Sequence, residues 1–340
     1  MLLPVRLALL AAFVIAPAAA LPAQVEPAPP PLRKIAEYKM ARARLGAAAV
    51  ALGNHLYIFG GSGGRESIYQ AERIDLATGE TELLPHRFLS RRFHNVAEHD
   101  GKIYLIGGQT FDRVDRPLET RVEVFDPAAD TVTVLGENSD PRRLAGVVKL
   151  GHELWIIGGS RWRSSGVFTH TNEVLIFDLV QHTWKKGPPM PTPRMASGAV
   201  LVGQFVLVPG GYATRSKQKA VEMFVPQENV WKRLPELGEA VAGHSAAVLG
   251  KWLFLFGDLD DRGRVLAYDL TTRKTNVIKT NFTETRFSTA LTVGDRIYVI
   301  GGEAFDAGFA GGQGVLRDNR NFARADGTER ELVQVFELQN

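Results

Sequence analysis

An all-β fold, closed radially from six antiparallel four-stranded units, is predicted by three observations in this 340-residue chain. A hydrophobic strand runs six times into a pair of turn-forming residues, at Gly60-Gly61, Gly107-Gly108, Gly158-Gly159, Gly210-Gly211, Gly257-Asp258 and Gly301-Gly302. Successive pairs lie 47, 51, 52, 47 and 44 residues apart, a period too regular for chance and too long for a helical solenoid. The same order of strands recurs around every pair, and no segment carries helical periodicity.

The first element is not part of the repeat. Arg6 precedes the apolar run Leu7 to Ala16, which is followed by Pro17-Ala18-Ala19-Ala20. A basic start, a short apolar centre and an A-x-A site predict a secretory signal peptide over residues 1–20. The run is shorter than the roughly 20 residues that span a bilayer, so cleavage after Ala20 is expected rather than anchoring. Residues 21–31, with Pro27 and Pro29-Pro30-Pro31, predict a stiff linker, and residues 32–340 hold the repeat. The expected product is periplasmic or secreted and not embedded in a membrane.

Within each unit an apolar strand and a short turn lead to a second strand that ends at the pair. The second strands are Leu56 to Phe59, Ile103 to Ile106, Leu154 to Ile157, Phe205 to Val208, Leu253 to Phe256 and Ile297 to Ile300. Their near-continuous apolar character is that of strands covered on both faces. Gly53-Asn54, Asp100-Gly101, Gly151-His152, Gly203, Gly250 and Gly294-Asp295 supply the preceding hairpin turns. After a variable loop come third strands at Ala71 to Asp75, Val122 to Asp126, Val174 to Asp178, Val221 to Phe224, Val265 to Asp269 and Val333 to Glu337. Fourth strands follow, clearest at Thr183-Trp184-Lys185 and Val230-Trp231-Lys232. The sixth unit stops after its third strand, and Leu32 to Arg42 stands where other units place a fourth strand and its tail. This segment is expected to close the ring as the outer strand of the last unit, since an open ring would leave an exposed sheet edge.

The glycine pairs, the Val-Glu-Val-Phe-Asp-Pro stretch from Val122 to Pro127, and the Trp-Lys-Lys-Gly-Pro-Pro-Met-Pro-Thr-Pro-Arg stretch from Trp184 to Arg194 resemble the repeat signature of the Kelch family. The resemblance covers about residues 32–340 and implies a six-bladed β-propeller of four-stranded antiparallel blades. A radial family marked by Gly-His and Trp-Asp dipeptides fits less well, since Gly243-His244 occurs once and Trp-Asp never.

Composition excludes several functions. With 45% hydrophobic and 23% charged residues the chain buries a core. Its net charge of +3 comes from 40 basic and 37 acidic residues without a charged block, which does not suit nucleic acid. There is no cysteine, so disulfides, thiolate metal sites and cysteine nucleophiles are impossible. Copper radical oxidases with Kelch propellers need a Cys linked to Tyr, so that activity is excluded. No HExxH or Gly-x-Ser-x-Gly occurs, and no cofactor or metal is expected. His94 and His244 hold matching repeat positions, which reads as structural.

One arginine precedes the first strand in five units, at Arg44, Arg92, Arg143, Arg194 and Arg286, with Ala242 in unit five. These arginines either tie blades together or form an incomplete basic ring at one mouth of the axial channel. The resemblance implies that such arginines can contact acidic ligands. The loops after the glycine pairs vary, which marks the face where binding is built. The third carries Arg161-Trp162-Arg163, cations beside an aromatic that suit a sugar or an acidic peptide, or are ordinary solvated charge. Unit five lacks both the second glycine and the arginine, and its loop holds Asp258, Asp260 and Asp261, an asymmetry that makes it a candidate site. The sixth loop, Glu303 to Arg330, is long and glycine-rich and is expected to act as a lid.

The function these features support is a monomeric binding scaffold for a glycan or peptide ligand on the loop face. One alternative is a periplasmic mutarotase or epimerase of sialic-acid type, with Glu303, Asp306 and Arg286 or Arg317 near the sugar. The other is a structural protein of the cell envelope.

Overall fold

The computed structural model describes residues 32–63, 66–110, 112, 117–163, 167–304 and 330–339. The expected signal peptide and linker, and the lid residues 305–329 with Asp306 and Arg317, lie outside them. Six four-stranded antiparallel sheets are present, each running from an inner to an outer strand. In blade one these are Ala48–Leu52, His55–Phe59, Glu72–Asp75 and Thr81–Leu83. Blade two has Asn95–His99, Lys102–Ile106, Arg121–Asp126 and Thr131–Glu137. Blade three has Gly146–Leu150, Glu153–Ile157, Val174–Asp178 and Trp184–Gly187. Blade four has Val200–Val202, Phe205–Pro209, Val221–Val225 and Val230–Leu234. Blade five has Ser245–Leu249, Trp252–Phe256, Val265–Asp269 and Thr275–Val277. Blade six takes Thr289–Val293, Arg296–Ile300 and Leu332–Leu338 from the C-terminal part, and its outer strand is Leu32–Lys39.

That last pairing is the predicted closure. It runs antiparallel from Leu32 opposite Leu338 to Lys39 opposite Leu332. Each inner strand also touches its two neighbours around the axis, so the ring is complete.

The apolar second and third strands are explained by what lies on each side of a blade. Side chains alternate between faces along a strand. Ile297 and Val299 accordingly pack with Phe254 and Phe256 of blade five, while Tyr298 and Ile300 pack with Leu56 and Ile58 of blade one. Every blade interior is thus a shared core, and each fully buried Leu, Ile or Phe contributes about 1.5–3 kcal/mol.

The glycine pairs mark the closest approach of one blade to the next. A Cβ on the first glycine would stand 2.3 Å from the Arg91 carbonyl oxygen at Gly60, 2.6 Å from that of Arg194 at Gly158 and 2.0 Å from that of Thr285 at Gly257. The second glycine donates its N–H to the same kind of carbonyl, as in Gly61 to Arg91 at 2.8 Å and Gly159 to Arg194 at 2.9 Å. The second glycine is crowded as well, a Cβ on Gly302 standing 2.6 Å from the Arg286 carbonyl oxygen, so blade five, with Asp258 there, keeps glycine only at the first position.

The acidic residue ending the third strand has an equally local cause. Asp75 Oδ1 accepts the N–H groups of Ala77 and Thr78 at 2.8 and 2.9 Å, and Asp126, Asp178 and Asp269 repeat the arrangement. Such Asx turns start the connection to the fourth strand.

His94 and His244 are buried against the glycine pair of the preceding blade, with their Cε1 atoms 2.8 and 3.1 Å from a Cβ built on Gly60 and Gly210. Burial, with Arg91 and Arg44 nearby, pushes His94 well below its usual value; burial brings His244 down to about 4, Arg194 adding to the shift and Asp258 opposing it. Between pH 6.5 and about 4 the unfolded chain therefore binds protons that the folded chain refuses. Stability is complete above pH 6.5 and falls as pH drops, by at most about 1.4 kcal/mol per unit for each histidine. Urea unfolding from pH 7 to pH 4.5 should show this slope, and the double variant His94→Leu/His244→Leu should flatten it. An unchanged slope in that variant would assign the acid sensitivity elsewhere.

Candidate binding site at the loop-face channel mouth

The chain that links each outer strand to the next inner strand crosses the loop face, and consecutive residues there face different ways. The first position, 16 residues before the first glycine of the pair, holds Arg44, Arg91, Arg142, Arg194, Val241 and Thr285. Its side chain turns into its own blade. Arg44, Arg91, Arg142 and Arg194 donate to the carbonyls of Gly60, Gly107, Gly158 and Gly210 at 2.6, 3.2, 3.3 and 2.9 Å. Arg44 also pairs with Glu72, Arg91 with Glu123 at 2.8 Å and Arg194 with Glu222 at 2.5 Å. All six of these charged residues are buried. Arg142 instead meets Asp140 at 2.6 Å. Blade five replaces the charges with Val241 and Leu266, which share one apolar cluster. In blade six Thr285 donates to the Gly301 carbonyl at 3.1 Å.

The second position holds Leu45, Arg92, Arg143, Met195, Ala242 and Arg286. Here the backbone bridges to the residue after the glycine pair, as in Arg92 with Gln109, Arg143 with Ser160 and Arg286 with Glu303. The side chains gather at the channel mouth. Arg92 donates to Ser62 Oγ at 3.4 Å, Arg143 to Gln109 Oε1 at 2.6 Å, and Arg286 to the Leu259 carbonyl at 2.9 Å. Arg286 also pairs with Glu303 at 3.5 Å. The five arginines expected to be equivalent thus fall into two sets. Arg44 and Arg194 lie within their blades, and only Arg92, Arg143 and Arg286 face the mouth. Arg91 and Arg142 were missed, although the signal was present: the spacing to the glycine pair is 16 residues for one set and 15 for the other. Adjacent positions on an extended chain point to opposite sides, so that one-residue difference decides the role.

The third position closes the channel. Phe93, Leu144, Ala196 and Phe287 each have φ of 54°, and Gly46 and Gly243 have φ of 67° and 70°. This left-handed turn lets the backbone run around the axis, with Phe93 N–H donating to Gly46, Leu144 to Phe93, Ala196 to Leu144, Gly243 to Ala196 and Phe287 to Gly243 at 2.7–3.2 Å. Phe93 and Phe287 meet edge to face at 5.4 Å and form an apolar plug with Leu45, Leu144, Met195 and Ala196. A cavity of about 310 Å³ adjoins this plug, lined by small inner-strand residues.

Arg143 is constrained from two sides at the mouth, by Gln109 and by an aromatic ring. Its guanidinium lies 3.4 Å from the centre of the Phe168 ring, and Phe168 meets Trp162 edge to face at 4.9 Å. Burial first, then the nearby charge of Arg92, pushes Arg143 well below the ordinary arginine value. A guanidinium does not give up its proton, so Arg143 stays charged at the mouth.

The acidic loop of blade five is internally paired. Asp258 is buried; its Oδ1 accepts the Ala242 N–H at 2.9 Å and its Oδ2 binds Lys217. Lys217 also pairs with Asp260 at 2.7 Å, and Arg264 with Asp261 at 3.2 Å. The asymmetry that singled out Asp258 is thus bound up with the ion pairs that join the loops of blades four and five. Trp162 and Arg163 lie away from this loop, on the hairpin of blade three. Among the described residues no group of His, Asp and Glu is arranged to hold a metal ion, and no helix is long and apolar enough to cross a membrane.

Six blades, the seam glycines and the Asx turns meet an independent match in known proteins. The family model of the KLHDC2/KLHL20/DRC7 Kelch-repeats domain matches residues 93–302, more than half of the chain, and the Kelch motif matches residues 43–80. The chain belongs to the Kelch-repeat family. Curated Kelch relatives include the Kelch repeat and BTB domain-containing protein 12 of Danio rerio, 26% identical over 53% of this chain and 32% of that protein. Alpha-scruin of Limulus polyphemus is 20% identical over 66% of this chain and 26% of that protein. The Kelch-like protein terF of Aspergillus terreus is 25% identical over 63% and 50%. The Kelch chain therefore spans a quarter to a half of these relatives' length.

Proposed function

We propose that this Kelch propeller is a non-enzymatic, exported interaction module whose loop-face mouth holds an acidic peptide segment of a partner protein. The observation that carries this reading is the convergence of Arg92, Arg143 and Arg286 on a mouth floored by an apolar plug. Arg92 and Arg143 belong to adjacent blades, so their charges add at the mouth and steer an acidic segment towards it. Gln109 and Phe168 hold Arg143 in place before any ligand arrives, which reduces the entropy lost on binding. The leader read over residues 1–20 is the basis for export. The mutarotase alternative relies on Glu303, which pairs with Arg286 at 3.5 Å, and on Asp306 and Arg317, which lie outside the described residues.

The test uses exported protein whose N-terminus reads Leu21, titrated with fluorescent hexaglutamate. The triple variant Arg92→Ala/Arg143→Ala/Arg286→Ala should weaken binding at least about 100-fold, since each charge-assisted hydrogen bond contributes about 1.5–3 kcal/mol. Added salt should weaken the wild type and leave the variant nearly unaffected. Equal affinity in both proteins would sink the assignment.

A further inference from the structure

A second site lies at the rim of the loop face, between blades two and three. A groove of about 540 Å³ opens there, walled by Leu118, Pro141 and Trp162 and floored by charged side chains. Trp162 stands on a short hairpin in which Ser160–Trp162 pairs with Phe168–His170, placing Trp162 directly opposite Phe168. Phe168 is itself held from behind by Arg143. The indole is therefore fixed in orientation while remaining partly exposed.

The floor is a closed ionic network. Arg161 grips both oxygens of Glu173, at 3.2 and 2.8 Å, and also binds Asp140. Asp140 accepts from Arg142 as well, at 2.6 Å, and Glu173 from Lys186 at 3.0 Å. Hydrogen bonds from Arg161 and Lys186 hold Glu173 down at about 2, so it is ionised across the physiological range. Burial works against ionisation of Asp140, but the bonds from Arg161 and Arg142 prevail and keep it low as well. Arg163 is steadied at the lip by Thr169 at 3.1 Å.

From this arrangement we infer that the rim groove binds a neutral pyranose of a glycan chain, stacked on Trp162 with its hydroxyls on the Asp140–Arg161–Glu173 floor. A hydroxyl both donates and accepts, and the floor offers fixed carboxylate acceptors beside fixed guanidinium and ammonium donors. A pyranose also has an apolar C–H face, which an oriented indole can cover. Phosphate, sulfate and uronate are disfavoured because Asp140 and Glu173 would repel them and the floor cations are already paired with those carboxylates. The site lies apart from the arginine mouth, to which it is joined through the contact of Arg143 with Phe168.

The experiment is calorimetric titration of the full chain with maltohexaose, cellohexaose, xylohexaose, mannohexaose and hexagalacturonate. At least one neutral oligosaccharide should bind, hexagalacturonate should not, and hexaglutamate should not displace the sugar. Trp162→Ala should weaken that binding at least about tenfold, and Trp162→Phe should retain most of it, with unchanged thermal melts showing that both variants fold. The inference is overturned if no neutral oligosaccharide binds in millimolar titrations, if only hexagalacturonate binds, or if Trp162→Ala binds the sugar as the wild type does.

Discussion

Replacing Arg194 by alanine is expected to cost about 3–5 kcal/mol, because buried Glu222 loses its close cation and keeps the Thr192 hydroxyl at 2.7 Å and Arg233 at 3.9 Å. Both side chains have no exposure at all, and Arg194 also satisfies the carbonyls of Gly210 and Ala220 at 2.9 and 3.1 Å. Glu222→Leu alone should be comparably harmful, since it strands the guanidinium. The double variant Arg194→Val/Glu222→Leu should recover most of the loss. Blade five is the natural precedent: Val241 and Leu266 occupy the same two positions, are fully buried and pack in one cluster. An apolar pair of suitable volume replaces a buried ion pair at little cost. Urea unfolding of the four proteins gives the coupling energy directly. If the two single losses simply add in the double variant, the pair is not a unit and the comparison with blade five fails.

Deleting residues 32–39 should have an effect of similar size on the whole molecule. The deletion removes the outer strand of blade six, its pairing with Leu332–Leu338, and buried Leu32 from the core shared by blades five and six. It also removes the Lys34 N–H bond to Asn281 at 2.9 Å and the Arg33–Glu337 pair. A seven-residue edge is then exposed, which favours aggregation. We expect the melting temperature to fall by about 10 °C or more, given that one kcal/mol corresponds to about 2–4 °C in a large domain. A synthetic peptide of residues 32–42 added in trans should restore part of the loss. A truncated protein that melts as the full chain does would show that blade six is held by its other three strands alone.

The repeat, the strand order and the closing strand were legible because each has a local or periodic signature. Alternation reports which strands are covered, and the glycine and aspartate positions report a seam contact and an Asx turn. The candidate site was legible only in part. Arg92, Arg143 and Arg286 were identified, but together with Arg44 and Arg194, because a count of one arginine per unit cannot tell which side of an extended chain each occupies. Arg91 and Arg142 went unnoticed beside Arg92 and Arg143 for the same reason. The Asp258 loop stood out by composition, yet its pairing with Lys217 comes from blade four and has no trace in local spacing.

By itself, then, the amino-acid order determined six antiparallel blades, their boundaries and the ring closure, since these follow from hydrophobic period and turn chemistry acting over a few residues. Only the tertiary structure decided which arginines serve the blades and which the mouth, that Phe93 and Phe287 plug the axis, and that Trp162 faces a charged groove. Those outcomes depend on side-chain direction and on contacts between blades about fifty residues apart, where a shift of a single position exchanges a buried ion pair for a ligand-facing cation.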